Sequence, residues 1–194
     1  MLIDATIRPT SKVNDIFWGE LTPCDHLVQI YQNDLALIDS LEGFIAGGLS
    51  AGDAVVIIAT PTHRAALQRR LESQGFDIAA VAAADRYSAL DAEKTLAKFM
   101  INGWPDDELF QTLIEQLLAR AQSGGRRVRA FGEMVAILWA QGNNGATVQL
   151  EHLWSRLCHD KTFSLFCAYP RSGFTQSTTA SMKEIFDAHS RLVP

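Results

Sequence analysis

Six consecutive residues, Ala54-Val55-Val56-Ile57-Ile58-Ala59, are apolar without alternation, and they constrain this chain more than any other segment. A strand with one wet face alternates, whereas an unbroken run bounded by turn residues suits a strand covered on both faces of a parallel sheet. Parallel strands need crossover connections, so helices are expected on either side. Thr60-Pro61-Thr62 follows as a helix start, with Leu67 and Leu71 four apart and Gly75 as the stop. Ahead of the run, residues 26–31 read as a strand. Leu37, Ile38, Leu41, Phe44, Ile45 and Leu49 then make a helical stripe, expected to end at Gly47-Gly48 and the Gly52-Asp53 turn.

The same grammar continues downstream. Residues 76–81 read as a third strand and residues 91–99 as a short helix. After Trp104-Pro105, the residues Phe110, Leu113, Ile114, Leu117, Leu118 and Ala121 share one helix face, with Asp106, Asp107 and Glu108 at the positive end of its dipole. Val128, Ala130 and Phe131 suit a strand and Gly132 a tight turn, before Met134, Val135, Leu138 and Trp139 recur at helical spacing up to Gly142. Leu150, Leu153, Trp154, Leu157 and Cys158 mark another helix, residues 163–169 a strand ended by Pro170, and Met182, Ile185, Phe186 and His189 one face of a last helix. This alternation predicts one α/β domain of three layers, with a largely parallel central sheet flanked by helices. Residues 1–22 read as an N-terminal extension whose Ile16-Phe17-Trp18 end docks on the domain or a partner, and residues 23–194 as the domain.

A chain of 194 residues with 47% hydrophobic content buries a sizeable core without disulfides. Its net charge of −5 and evenly mixed acids and bases offer no stripe for a phosphate backbone, Arg126, Arg127 and Arg129 being too few and too local, so nucleic acid is not an expected direct partner. Three cysteines, Cys24, Cys158 and Cys167, leave an odd count, and Cys167 lies in an apolar strand, which fits reduced thiols and a cytoplasmic setting. No stretch reaches the roughly 20 apolar residues of a membrane helix, and no basic segment with an apolar run opens the chain.

Glu133 is the residue most pointed at a site, because it stands where a strand ends, and ligands of open α/β sheets bind beyond the carboxyl ends of strands. It reads as a ligand-binding carboxylate, a general base or a helix-start charge. The turn Ala59-Thr60-Pro61-Thr62-His63-Arg64 lacks the glycines and lysine of a phosphate loop, although helix amides with Thr62 and Arg64 suit an anion as well as an ordinary cap by Thr60 or Thr62. Cys24 with His26 and Cys158 with His159 lack zinc spacing, so neither a metal nor a cofactor is expected. His152 and His189 read as structural histidines, and the four tryptophans Trp18, Trp104, Trp139 and Trp154 as mostly core, a minority lining a pocket with Tyr31, Tyr87 or Tyr169.

Several of these stretches together resemble the MEDS family, the methanogen/methylotroph sensory domain, which is similar to a RecA/KaiC-type fold. They are Cys24-Asp25-His26-Leu27-Val28-Gln29-Ile30-Tyr31, Gly52 through Thr60, Asp85-Arg86-Tyr87 with Asp91-Ala92, and Arg129 through Trp139. Leu150-Glu151-His152-Leu153-Trp154, Phe166-Cys167-Ala168-Tyr169-Pro170 and His189 complete the set. The resemblance implies a sensory module that perceives a small organic compound and is coupled to histidine kinases or DNA-binding regulators, with the phosphate loop of KaiC-type ATPases degenerate. No effector segment follows within the chain to Pro194, so the output is expected in trans, with a homo-oligomer possible. The ligand shell expected from the residues is His26, Tyr31, His63, Arg64, Tyr87 and Glu133, without catalysis. The rivals are a degenerate nucleotide-dependent enzyme, with Glu133 activating water and Arg64 or Arg129 meeting phosphate, and a ligand-free interaction subunit.

Overall fold

The computed structural model describes Trp18, residues 21–174 and residues 179–193. Ile16 and Phe17, assigned a docking role from sequence, lie outside them. In chain order the elements are β1 (His26–Tyr31), α1 (Asp34–Ser50), β2 (Ala54–Ala59), α2 (Pro61–Ser73), α3 (Ile78–Ala83), β3 (Tyr87–Asp91), α4 (Ala92–Leu96), β4 (Met100–Ile101) and β5 (Trp104–Pro105). There follow α5 (Asp107–Ala121), β6 (Val128–Gly132), α6 (Met134–Ala140), α7 (Asn144–Lys161), β7 (Ser164–Pro170), α8 (Thr179–Asp187) and β8 (Arg191–Val193).

Six strands form one sheet in the order β3-β2-β6-β7-β1-β8, every pairing parallel. The unbroken apolar run of β2 is central, and all six of its residues are buried, as a strand covered on both faces requires. Alternate side chains divide between two cores. Val55, Ile57, Phe131 and Phe166 meet Leu41 and Phe44 of α1, Leu67 and Leu71 of α2 and Ile78 of α3. Val56, Ile58, Ala130, Leu165 and Cys167 meet α4 through α8 by way of Leu96, Phe110, Met134, Trp154 and Ile185. The three-layer, parallel α/β architecture is therefore present, with a separate two-stranded antiparallel β4-β5 hairpin.

Four expectations are corrected. The segment 76–81 is not a strand: Asp77 caps α3 by accepting from the Ala80 amide at 2.9 Å, and the alanines that follow favour helix. The third strand is β3, registered on β2 from Val55↔Tyr87 to Ala59↔Asp91. Helix α1 does not stop at Gly47-Gly48 but runs to Ser50, because Gly48 serves close approach; a Cβ there would stand 2.7 Å from Arg129 Cδ. Trp104 is 51% exposed on the hairpin, lying against Gly145 rather than in the core, and Trp18 is half-buried on Phe44 and Phe166, while Trp139 and Trp154 are buried. Helix α8 buries Ile185 but leaves Phe186 exposed and ends before His189. No helix among the described residues is long and apolar enough to cross a membrane.

Candidate functional site

Strands β2 and β6 are neighbours, yet the chain leaves β2 into α2 on one face and β6 into α6 on the other. Diverging connections of this kind open a crevice beyond the strand ends. Glu133, one residue past β6 and 5% exposed, fills it. Its backbone amide donates to Ile58 O at 2.8 Å, and its Oε2 accepts from the Thr60 amide at 2.7 Å, so the ends of the two strands are clipped together. Its Oε1 lies 2.8 Å from His63 Nδ1 and 3.4 Å from the Thr60 hydroxyl that donates to it. Glu133 occupies the N-cap position of α6 without making a side-chain cap bond, and Thr60 likewise makes no side-chain cap bond to α2, so neither is a simple helix cap.

His63 carries this network outward. Its Nε2 points to Asp34 Oδ1 at 3.7 Å, at the mouth of a groove of about 340 Å³ between α1 and α2, lined by Leu35, Ile38, Thr62 and Ala66 among others. The hydrogen bond that His63 donates to Glu133 raises the His63 pKa above its ordinary value, against burial and with added attraction from Glu133 and Asp34. Tyr31, at the end of β1, is held protonated by burial, with Glu133 and Asp34 acting in the same direction.

The other expected residues stand elsewhere. Arg64 meets Asp91 at 3.5 Å, and Asp91 in turn caps α4. Tyr87 opens β3 rather than ending it; burial raises its pKa and the Arg64 charge lowers it. The structure thus brings Tyr31, His63 and Glu133 together, sets Arg64 to one side, and places Tyr87 and His26 at strand starts.

His26 belongs to a second polar cluster that sequence spacing did not disclose. Even-numbered positions of β1 and odd-numbered positions of β7 share one face, so the register Val28↔Cys167 sets His26, Cys167 and Tyr169 under α7. Glu151 descends from α7, and His189 enters from the turn between α8 and β8. Glu151 Oε2 is 3.5 Å from the Nε2 atoms of both His26 and His189, and Cys167 Sγ is 3.5 Å from His26 Nε2. Tyr169 donates its hydroxyl proton to Glu151 Oε1. Burial pushes the Glu151 carboxyl up, but His189, His26 and the Tyr169 hydroxyl overcome it and bring it down to about 2. Burial lowers the pKa of His189 and raises that of the Cys167 thiol. The alternation of His26, Val28 and Ile30 was the available signal; its partners, more than a hundred residues away, were not. The weighed Cys158–His159 pair does not form, because Cys158 is buried and donates to Phe163 O at 2.9 Å, with burial pushing its thiol up to about 12, while His159 is exposed; His152, read as structural, is exposed too.

A parallel α/β domain with a polar network at diverging strand ends does not by itself specify a function. The family is settled by comparison. Residues 25–189 match the model of MEDS, the methanogen/methylotroph, DcmR sensory domain, and the chain belongs to this family of sensory domains. A search of curated proteins returns no match.

Proposed function

We propose that the chain is the non-catalytic input domain of a cytoplasmic signalling system, in which a small organic compound seats in the α1–α2 groove against His63 and alters association with a signalling protein, such as a histidine kinase or transcription regulator, or with a second copy. The match to a sensory family over residues 25–189 carries this reading. The groove supports it by combining apolar Leu35, Ile38 and Ala66 with a polar anchor, the mixture that small-ligand sites use. On this reading the fold is a RecA/KaiC-like one that has shed its phosphate loop. The turn after β2 holds threonines and proline where bare amides and a lysine would surround phosphates, and both Glu133 oxygens are engaged by Thr60 and His63 rather than turned toward a water nucleophile. The three free cysteines fit a reducing compartment.

The test is a thermal-shift screen of small alcohols, amines, amides and carboxylic acids on the wild-type chain and on His63→Gln. A compound at about 100-fold its Kd stabilises the wild type by about 2.7 kcal/mol, and this stabilisation is expected to vanish in the variant. Absence of any stabilising compound, together with magnesium-dependent nucleotide hydrolysis abolished by Glu133→Gln, would establish the enzyme instead.

A further inference from the structure

The cluster of His26, Glu151, Cys167 and His189 is not used by the groove, and its hydrogen bonding does not close. His26 Nδ1 lies 3.0 Å from Ala188 O and His189 Nδ1 2.6 Å from Ile185 O. A carbonyl only accepts, so both rings carry their proton on Nδ1 and, when neutral, present an Nε2 lone pair. Both lone pairs face the same oxygen, Glu151 Oε2, itself an acceptor. Neither Glu151 Oε2 nor His189 Nε2 has a hydrogen-bond partner among the described residues, and both side chains are only 1% exposed. Apart from the weak Cys167 S–H beside His26, neutral imidazoles leave these buried acceptors converging with no donor between them, which is costly unless something positive lies there.

We propose that His26, Glu151, Cys167 and His189 form a four-coordinate site for a divalent transition-metal ion, with zinc the expected occupant. Their donor atoms all lie within 4.8 Å of one another. A tetrahedron with zinc–nitrogen bonds of about 2.0 Å and a zinc–sulfur bond of about 2.3 Å has edges of about 3.3–3.7 Å, and the three 3.5 Å separations around His26 and Glu151 already match it. Two imidazoles, a carboxylate and a thiolate are donors that a borderline-soft cation prefers over magnesium or calcium. The charges also balance. On binding, the Cys167 S–H bond breaks, its proton leaves to solvent and an S–metal bond forms, so thiolate and Glu151 carboxylate together cancel the two positive charges of the ion. Outer partners are in place as well, since two backbone carbonyls orient the imidazoles and the Tyr169 hydroxyl holds Glu151 Oε1, leaving Oε2 for the metal. The ligands come from β1, α7, β7 and the α8–β8 turn, so the ion ties the last part of the described chain to the sheet.

The test uses the full chain. Metal content is measured after purification without added metal, and the chelated, refolded protein, its fold checked by circular dichroism, is titrated with Zn²⁺ and Co²⁺. The expected result is about one equivalent bound per chain, a higher melting temperature with zinc, and a cobalt spectrum with a thiolate charge-transfer band and four-coordinate d–d bands. Cys167→Ser removes the charge-transfer band and Cys24→Ser keeps it. Loss of outer-shell partners alone costs roughly 10–100-fold in metal affinity, so His189→Gln weakens zinc binding by at least that much. A folded chain that takes up neither ion, a cobalt complex without the thiolate band, or a band that survives Cys167→Ser overturns the proposal. Should a variant fail to fold, wild-type metal content and the cobalt spectrum decide alone.

Discussion

The two ends of the paired strands β2 and β6 each hold a buried acid, and the two acids are used differently. At the amino end, Asp53 meets Arg129 at 2.9 Å and Arg127 at 3.0 Å, and Arg129 also donates to Phe44 O at 3.1 Å and Trp18 O at 2.6 Å. Burial lowers the Arg129 pKa and the hydrogen bond and charge of Asp53 raise it. At the carboxyl end, Glu133 is equally buried, but its network runs through His63 to an atom whose nearest acid, the exposed Asp34, is 3.7 Å away at the edge of a groove. A closed network fixes packing and has nothing left to offer a ligand, whereas one that reaches an open groove keeps a polar group for recognition.

The largest expected effect breaks the closed end. Arg129→Met leaves Asp53 with its exposed partner Arg127 and strips the Phe44 and Trp18 carbonyls of their donor. Losing one member of a buried pair costs about 3–5 kcal/mol. Urea denaturation is expected to show a loss of that size while any groove ligand still binds the folded fraction. A loss below about 1 kcal/mol, the range of surface pairs, would mean that the two ends do not differ as described.

Glu133→Gln is expected to act in the reverse proportion. The amide retains an acceptor for the Thr60 amide but loses the charged bond to His63, a loss of about 1.5 kcal/mol, while ligand-induced stabilisation falls much further. Equal unfolding midpoints for Arg129→Met and Glu133→Gln would remove the distinction.

The smallest effect is a pH dependence. Because the folded-state pKa of His63 is raised, its ion pair with Glu133 stabilises the fold fully below the ordinary histidine pKa and is lost as pH rises through the raised value. The stability difference between wild type and His63→Gln is therefore expected to be largest below the ordinary histidine pKa of about 6.5 and to shrink as pH is raised through the interval above it. A difference that grows over this interval contradicts the assignment.

Much of the frame was legible in local pattern. The unbroken run of β2, the alternation and turn of β6 and the apolar stripes of α1, α5 and α7 need only nearest-neighbour chemistry to be read. Where tertiary contacts override local signals the reading failed. Gly47-Gly48 resembled a helix stop because nothing nearby shows that Arg129 must pass over Gly48. Residues 76–81 failed for a local reason instead, their apolar side chains suiting a strand while the Asp77 cap made a helix of them. At the site, the strand end marked Glu133, but its bonds to Thr60 and His63 depend on which strand lies beside β6. The histidine, cysteine and glutamate stretches stood out one by one. Their convergence is a property of the β1–β7 register and of the path of the chain past α8, neither of which a single strand or helix encodes.

The most direct measurement maps the compound that most raises the melting temperature by two-dimensional amide NMR on the wild-type chain. Binding at the open end perturbs the amides around Asp34, Leu35, Thr62 and His63, and leaves those of Asp53, Arg127 and Arg129 in place. Perturbation centred on Asp53 and Arg129, with the His63 region unmoved, would contradict the assignment of sensing to the carboxyl end of the sheet.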